Sequence, residues 1–302
     1  MKIAIKTAVQ FLALTLVYLV CFVVVSGALL STTMDQPAVD EAATTLLALL
    51  VVSLINAAVW MYVIRRSRWS GWRLMLVVFF VLYGVSTLMP QIETAYFVTR
   101  LPPGMLPRLF VAGLIIAAVF SPLAVLILGK AGTRSSETSN RLQLPASAWI
   151  ARLSLIVVAY VVIYFTFGYF IAWKNEAVVA YYGGNDPGSF ITHMRNVLRS
   201  EPLLFLLQIA RALLWTAIAV PVIKMMKGKW WEAGLAVALL FTMMSAQLLL
   251  PNPLMPAEVR MAHLVETVTS NFLFGWLVVF VLVRPSPTSA HPDRAVRRSP
   301  AV

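Results

Sequence analysis

Residues 7–30 read TAVQFLALTLVYLVCFVVVSGALL, a run of 24 residues without a charged side chain. A transmembrane α-helix needs about 20 consecutive apolar residues to cross the hydrocarbon core of a bilayer, so this run predicts a membrane span. Seven more runs of the same kind follow along the chain. They cover residues 43–64, 73–98, 105–129, 148–173, 202–223, 232–250 and 257–283. The predicted fold class is an all-α integral membrane protein, an eight-span transmembrane helical bundle.

The composition excludes an ordinary soluble protein. Of the 302 residues, 60% are hydrophobic and 12% are charged, whereas soluble domains carry about 25% charged residues. Eight spans use roughly 160 residues and leave room for short loops only, so residues 1–284 are predicted to form a single transmembrane domain. Residues 285–302, which are rich in proline and arginine, are predicted to be a disordered, basic cytoplasmic tail.

The net charge of +12 could indicate a nucleic-acid partner, but such binding needs lysine and arginine gathered on one soluble face. Here the cations lie between the apolar runs. We therefore predict no nucleic-acid partner, and the lipid bilayer as the surroundings of the chain. The single cysteine, Cys21, lies within the first run, so the chain has no intrachain disulfide and no metal-thiolate framework.

The distribution of charge among the loops predicts the orientation, because lysine and arginine are retained on the cytoplasmic side. With the N-terminus inside, seventeen of the 24 cations fall on the cytoplasmic side, namely Lys2, Lys6, Arg65, Arg66, Arg68, Arg73, Lys130, Arg134, Arg141, Arg152, Lys224, Lys227, Lys229, Arg284, Arg294, Arg297 and Arg298. Nine of the 12 acids then lie outside, namely Asp35, Asp40, Glu41, Glu93, Glu176, Asp186, Glu201, Glu258 and Glu266. We predict a multi-pass protein of a bacterial-type cytoplasmic (inner) membrane, with both termini in the cytoplasm.

An internal repeat links the third and seventh runs. Residues 69–90 overlay residues 230–251 without a gap, at an offset of 161. Each segment begins with a basic, tryptophan-rich turn and reaches a proline, Pro90 or Pro251, where we expect the helix to stop.

The match extends to Ile64 and Ile223 if a two-residue gap is allowed. Because the two copies lie four spans apart, they predict a parallel 4+4 internal repeat with halves 1–130 and 148–284. The alternative stays open that two apolar helices ending in proline resemble each other by composition alone.

Three polar side chains lie inside late spans at a similar depth. Arg211 is thirteen residues from Lys224 at the inner end, which places it about 20 Å from that face at 1.5 Å per residue. The same calculation places Gln247 and Asn271 within roughly 3 Å of this depth. Since polar residues within spans face the bundle interior, we expect these side chains to meet around Arg211.

Three more polar side chains, Glu93, His263 and Glu266, are predicted nearer the outer interface. His263 and Glu266 are three residues apart and therefore share one face of the last helix. With Arg211, Gln247 and Asn271 they complete the set of candidate ligand-binding residues.

Three interpretations of this polar set remain open. In the first, Arg211 and Glu266 form a structural ion pair and the protein is a scaffold or subunit. In the second, Arg211 is the cation at the floor of an outward-facing polar pocket that binds or transports a small solute or lipid, with an anionic or zwitterionic group. In the third, His263 and Glu266 serve a membrane-embedded enzyme through a metal ion or acid/base chemistry.

The sequence assigns no cofactor and no metal ion. The side chains that could ligate a metal are His263, Glu266 and Glu93, since imidazole and carboxylate groups suit Zn, Mn or Fe. The helix-bundle di-iron pattern needs two Glu-x-x-His motifs and two further glutamates, and the chain lacks that pattern.

The loop between the fifth and sixth runs contains an apolar pattern of helical period. The residues that form it are Phe190, Ile191, Met194, Val197 and Leu198. We predict an outer-face amphipathic helix near 189–199, with His193, Asn196 and Arg199 on its polar side. It could tether the loop to the bilayer or form a lid over the pocket.

Overall fold

The computed structural model describes residues 2–30, 39–98, 101–132, 141–184, 187–252 and 254–283. The predicted tail at 285–302 lies outside the described residues. Within the described part of the chain there is no β-strand, and a single isolated antiparallel bridge joins two loops. The helices are α1 (Lys2–Leu30), α2 (Val39–Arg65), α3 (Gly71–Phe97), α4 (Met105–Ile127), α5 (Ala146–Ala172), α6 (Glu176–Tyr181), α7 (Phe190–Ser200), α8 (Pro202–Met225), α9 (Trp230–Leu249) and α10 (Ala257–Val283).

Eight of these helices, α1 to α5 and α8 to α10, are long and apolar enough to cross a membrane. The prediction of a multi-pass, eight-span helical protein is therefore confirmed. The structure starts α1 at Lys2 rather than at residue 7. Lysine is a good helix former, so the apolar run marks the span but not the start of the helix.

Helix α3 does not stop at Pro90 as expected but continues to Phe97. It passes the proline through a π-helical turn at Gly84–Leu88, in which the Met89 amide donates to the Gly84 carbonyl. Proline has no amide hydrogen, so the Ser86 carbonyl lacks the α-helical donor four residues after it. Gln247 supplies that donor through its side-chain amide, at 3.1 Å. Helix α9 does end before its own proline, in a 3-10 turn at Met244–Leu249.

The spans pack in two groups, which we call the first half (α1–α4) and the second half (α5–α10). In the first half α1 packs against α2 and α4, and α3 packs against α4. In the second half α5 packs against α8 and α10, and α9 packs against α10. The halves meet where α2 contacts α9 and where α3 contacts α8. Large side chains buried at this centre are Trp60, Phe120, Trp215, Phe241 and Phe274.

One end of the bundle, which we call the basic end, consists of residues 65–71, 128–132, 141–145 and 226–229. Cationic side chains cap backbone carbonyls there: Lys130 donates to Ser67 at 2.8 Å, and Arg141 donates to Met226 at 3.1 Å. Burial, helped by the neighbouring charge of Arg68, lowers the pKa of Arg141 from its ordinary value. The halves themselves are joined at this end by backbone bonds, since the Arg68 amide donates to the Met225 carbonyl and the Lys227 amide to the Arg66 carbonyl.

Candidate functional site

A cavity of about 480 Å³ opens at the opposite end of the bundle, which we call the cavity end. Its walls come from α3, α4, α5, α8, α9 and α10 and from residues 173–201, which we call the cover segment. Most of the lining is apolar, and the aromatic part includes Phe97, Tyr164, Phe165, Tyr169, Trp173 and Tyr182. The volume falls in the range of pockets that hold small organic ligands.

Arg211 lies near the middle of α8, is 3% exposed, and forms an ion pair with Glu93 of α3. Its Nη1 also donates to the Gln208 side-chain oxygen at 2.9 Å. The guanidinium carbon is 5.9 Å from the ring centroids of Tyr160 and Tyr164, close enough for cation–π attraction. The positive charge of Arg211 is therefore balanced by Glu93.

The ion pair of Arg211 with Glu266, which one of the three sequence interpretations predicts, is not formed, because Glu93 pairs with Arg211. Gln208 is outside the predicted set of polar residues. Glu93 reaches Arg211 because α3 continues beyond Pro90 and carries the carboxylate into the bundle. Gln208 is one helical turn before Arg211 in an otherwise apolar run, so its position was a signal that could have been used.

A second group of polar side chains forms a hydrogen-bonded row. His263 Nδ1 is 2.8 Å from a Glu266 carboxylate oxygen, and the Tyr182 hydroxyl is 3.2 Å from His263 Nε2. A neutral imidazole protonated on Nδ1 fits both contacts, since it donates to Glu266 and accepts from Tyr182. Burial raises the pKa of Tyr182, so the phenol keeps the proton that it donates.

The predicted pairing of His263 and Glu266 on one helix face agrees with this geometry. Tyr182, in a loop expected at a membrane interface, is not among the candidate residues predicted from the sequence. A tyrosine close to a turn is common at such interfaces, and nothing in the sequence links Tyr182 to a histidine 81 residues later.

Beneath the main cavity lies a smaller chamber of about 30 Å³. Glu93 and Glu266 line both spaces, while Arg211, Ser270 and Asn271 line the chamber alone. About one or two water molecules fit in this volume. The Asn271 side chain shares this chamber with Arg211 and forms no hydrogen bond with the described residues.

The structure does not bring Gln247 to Arg211. Gln247 lines the main cavity but not the chamber, and its side-chain amide donates a hydrogen bond to the Ser86 carbonyl. The 3-10 turn that contains Gln247 rises about 2 Å per residue instead of 1.5 Å, so the depth calculated for a regular helix does not hold there.

The cover segment closes the cavity from the side. Helix α7 is the helix expected near 189–199, and Ser189 caps its first turn. Asn196 and Arg199 are exposed as expected, but His193 packs 5.5 Å from Tyr169 and 5.4 Å from Trp173, ring to ring, in the cavity wall. Burial there lowers the pKa of His193 from 6.5, so the ring is neutral at pH 7.

The metal-ligating types among the predicted residues are Glu93, His263 and Glu266. Glu93 is engaged by Arg211, and among the described residues no group of three or more His, Cys, Asp or Glu side chains is arranged to hold a metal ion. None of the three is assigned as a metal ligand.

With this geometry in place, the chain was compared with known proteins. No protein-family model, no curated protein and no solved structure matches it.

Proposed function

We propose that the protein binds, and carries across the membrane, a small amphipathic solute that bears a positive charge, a class that includes amine-bearing lipids. The observation that carries this proposal is the charge of the cavity lining. Its described residues include three carboxylates, from Glu93, Glu201 and Glu266, and no lysine or arginine. Glu93 neutralises Arg211 below it, so the anionic group expected from the sequence has no unneutralised cation to meet.

The walls support the same class of ligand. Aromatic faces attract organic cations and also cover apolar groups, so a ring-rich cavity with a carboxylate at its floor suits an amphipathic cation. Glu266 supplies that carboxylate, since the pair carries one negative charge when the His263 ring is neutral, with Nδ1 donating to Glu266 and Nε2 accepting from Tyr182.

Transport, rather than binding alone, is supported by the two ends of the bundle. The cavity reaches from one end down to Glu93 and Glu266, next to the mid-span Arg211. We infer that the basic end is closed, because backbone bonds join the loops of the two halves there, from the Arg68 amide to Met225 and from the Lys227 amide to Arg66. One open end and one closed end correspond to one state of an alternating-access cycle.

The direct test uses two probes of the same shape and opposite charge, tetraphenylphosphonium and tetraphenylborate, with purified protein in nanodiscs. We expect the cation to bind saturably and the Glu266→Gln variant to bind it at least tenfold more weakly. The matched control is Glu258→Gln, which removes an exposed carboxylate from the same helix outside the cavity. Equal or tighter saturable binding of the borate anion would overturn the proposed charge preference.

A membrane-embedded enzyme is the second candidate, because the row formed by Tyr182, His263 and Glu266 resembles an oriented acid/base group. However, Tyr182 occupies Nε2 and Glu266 occupies Nδ1, so the imidazole offers no nitrogen to a substrate unless that row opens. A scaffold with purely structural contacts is the third candidate, and for a scaffold we expect no saturable binding of a ligand.

We also propose that the two halves are copies in a parallel 4+4 repeat. Their contacts follow the same order: first span with second and fourth, and third with fourth. In addition, residues that the overlay makes equivalent touch each other. Ser67 pairs with Met226 in the antiparallel bridge, at the offset of 159 that relates Ile64 to Ile223, and Gln247 binds Ser86 at the offset of 161. Such self-pairing is what a two-fold axis along the spans requires.

For the orientation we propose that the basic end faces the cytoplasm of a bacterial-type inner membrane and that the cavity opens outward, following the positive-inside rule. Reporter fusions test both this and the parallel repeat. A reporter after Gly184 should be active outside, whereas one after Gly132 should be active in the cytoplasm. The reverse pattern would contradict the orientation, and two reporters on one side would contradict the parallel halves.

A further inference from the structure

We propose that a proton and the positive charge of the solute compete for the pair formed by His263 and Glu266, so that each solute bound releases one proton. This inference rests on the proposed function and adds to it the coupling ion and the direction of exchange. It follows from the charges that surround Glu266.

The groups facing Glu266 come from every helix around it. On its own helix, Glu266 contacts His263. Tyr182 approaches from the cover segment, and α5 contributes Tyr160 and Tyr164. Glu93 of α3 and Arg211 of α8 share the chamber with Glu266, and Glu201 lies elsewhere in the cavity lining, hydrogen-bonded to Tyr96 at 3.2 Å.

Apart from Glu201, which is exposed to solvent, the charges of these groups leave one negative charge uncompensated. Arg211 and Glu93 cancel each other, and the tyrosines are neutral. With a neutral imidazole, the pair of His263 and Glu266 carries a charge of −1 in a largely apolar site. The other Glu266 oxygen faces α5 at Gly168, where even an added methyl carbon would lie 3.5 Å from it and where no side chain can supply a cation.

A proton can neutralise the pair without any rearrangement. It would bind to His263 Nε2, because the Nδ1 proton already lies between the ring and the Glu266 oxygen, which is 2.8 Å from Nδ1. Tyr182 then accepts from Nε2 instead of donating to it, a change that needs only rotation of its hydroxyl hydrogen. The protonated and deprotonated pair thus share one heavy-atom arrangement.

A bound organic cation neutralises the same charge from the cavity side, because Glu266 lines the cavity. Proton and solute together would leave one excess positive charge beside the buried Arg211, which low-dielectric surroundings disfavour. The exchange is balanced: one solute cation enters, and one proton leaves the pair through His263 and Tyr182 to water in the cavity. Since the same carboxylate serves both ions in turn, transport becomes an exchange of the solute for a proton.

The experiment measures proton release when tetraphenylphosphonium is added to the protein in weakly buffered solution containing a pH indicator. We expect release to approach one proton per bound cation at pH values where the pair is protonated. Over the same pH range, affinity for the cation should rise about tenfold per pH unit and then level off. Glu266→Gln should abolish the release and make the residual binding independent of pH, whereas Glu258→Gln should behave like the parent protein.

The two proposals fail differently. If the cation does not bind at any pH, the proposed function is wrong. If it binds with an affinity that is independent of pH and with no proton released, the binding function stands and proton competition is overturned. Proton release that persists in a folded Glu266→Gln variant, judged by a single symmetrical elution peak, would likewise overturn it. The conservative Glu266→Asp variant keeps the carboxylate, so it should still release a proton if the glutamine variant fails to fold.

Discussion

At the scale of single residues, the site depends on two carboxylates, Glu93 and Glu266, that have different partners. Glu93 forms an ion pair with Arg211, whose side chain is 4% exposed. Glu266 is instead held by a histidine that is itself oriented by Tyr182. The first pair fixes the floor of the cavity, and the second leaves a charge available to a ligand.

The first prediction concerns the ion pair of Glu93 and Arg211 at the floor of the cavity. Glu93→Gln leaves the buried guanidinium of Arg211 without its counter-charge, and breaking a buried ion pair in this way costs about 3–5 kcal/mol. Because the Glu93 side chain is 29% exposed, water replaces part of the lost interaction, and we expect about 3 kcal/mol. Thermal unfolding followed by tryptophan fluorescence in detergent should show a clear drop in Tm. The exposed Glu258→Gln serves as the control, and an unchanged Tm for Glu93→Gln would contradict the argument.

At the scale of the helices, close approach depends on small residues where two spans pack tightly. Gly275 of α10 faces the backbone of Ala238 in α9, and a Cβ at Gly275 would lie 2.5 Å from the Ala238 Cα. Without a hydrophobic driving force between helices in lipid, such contacts between small residues are a main source of association.

A matched pair of alanine variants tests this packing. Gly275→Ala must push two helix backbones apart, so we expect it to destabilise the protein by about 1–3 kcal/mol. Gly27→Ala, in which the new methyl group meets nothing within 4 Å, should be neutral or slightly stabilising, because alanine is the better helix former. Urea-dependent unfolding in mixed micelles would measure both, and equal stabilities would show that α9 and α10 are not in close contact there.

The docking of α7 should depend on pH through His193. Burial lowers the pKa of the docked ring below 6.5, so the undocked form takes up a proton first as the pH falls. Docking is therefore at full strength above about pH 6.5 and weakens as the pH drops towards the docked pKa.

Hydrogen exchange of residues 190–200, corrected for the intrinsic effect of pH, should increase more between pH 7.5 and pH 5.5 than that of α9. His193→Phe keeps an aromatic ring against Tyr169 and Trp173 but does not titrate. The pH-dependent part should disappear in this variant, and a persistent effect would assign the sensitivity to other groups.

At the scale of the whole molecule, the loops of the two halves pair at the basic end. The Arg68 amide donates to Met225 at 2.7 Å and the Lys227 amide to Arg66 at 2.9 Å, which makes Ser67 and Met226 a non-hydrogen-bonded pair with Cα atoms about 4.5 Å apart. Paired cysteines at that separation can form a disulfide.

Locking this pair tests whether the basic end opens during transport. In a Cys21→Ala background, the double variant Ser67→Cys/Met226→Cys should bind tetraphenylphosphonium normally but lose uptake into proteoliposomes after oxidation. A reductant should restore uptake, and each single cysteine variant is the control. Full uptake by the completely oxidised protein would place the exit elsewhere.

The positions of the spans could be predicted because the length of an apolar run can be read directly from the sequence. Two kinds of feature of the site could not be predicted from the sequence. The depth of Arg211 is set by its place in the helix, but its partner depends on how α3 and α8 are rotated and on the passage of α3 beyond Pro90. The role of Tyr182 depends on the folding of the cover segment over α10, to which no periodic pattern corresponds.

The missing amide hydrogen of Pro90 has a consequence for motion. Pro90 cannot donate to the Ser86 carbonyl, and a carbonyl left without a donor in a membrane interior costs several kcal/mol. The side chain that satisfies it, Gln247, belongs to the other half. Sliding of one half past the other breaks this bond, whereas rotation about it does not. We therefore expect Ser86 and Gln247 to act as a pivot, around which the halves tilt while the ends of the bundle open and close.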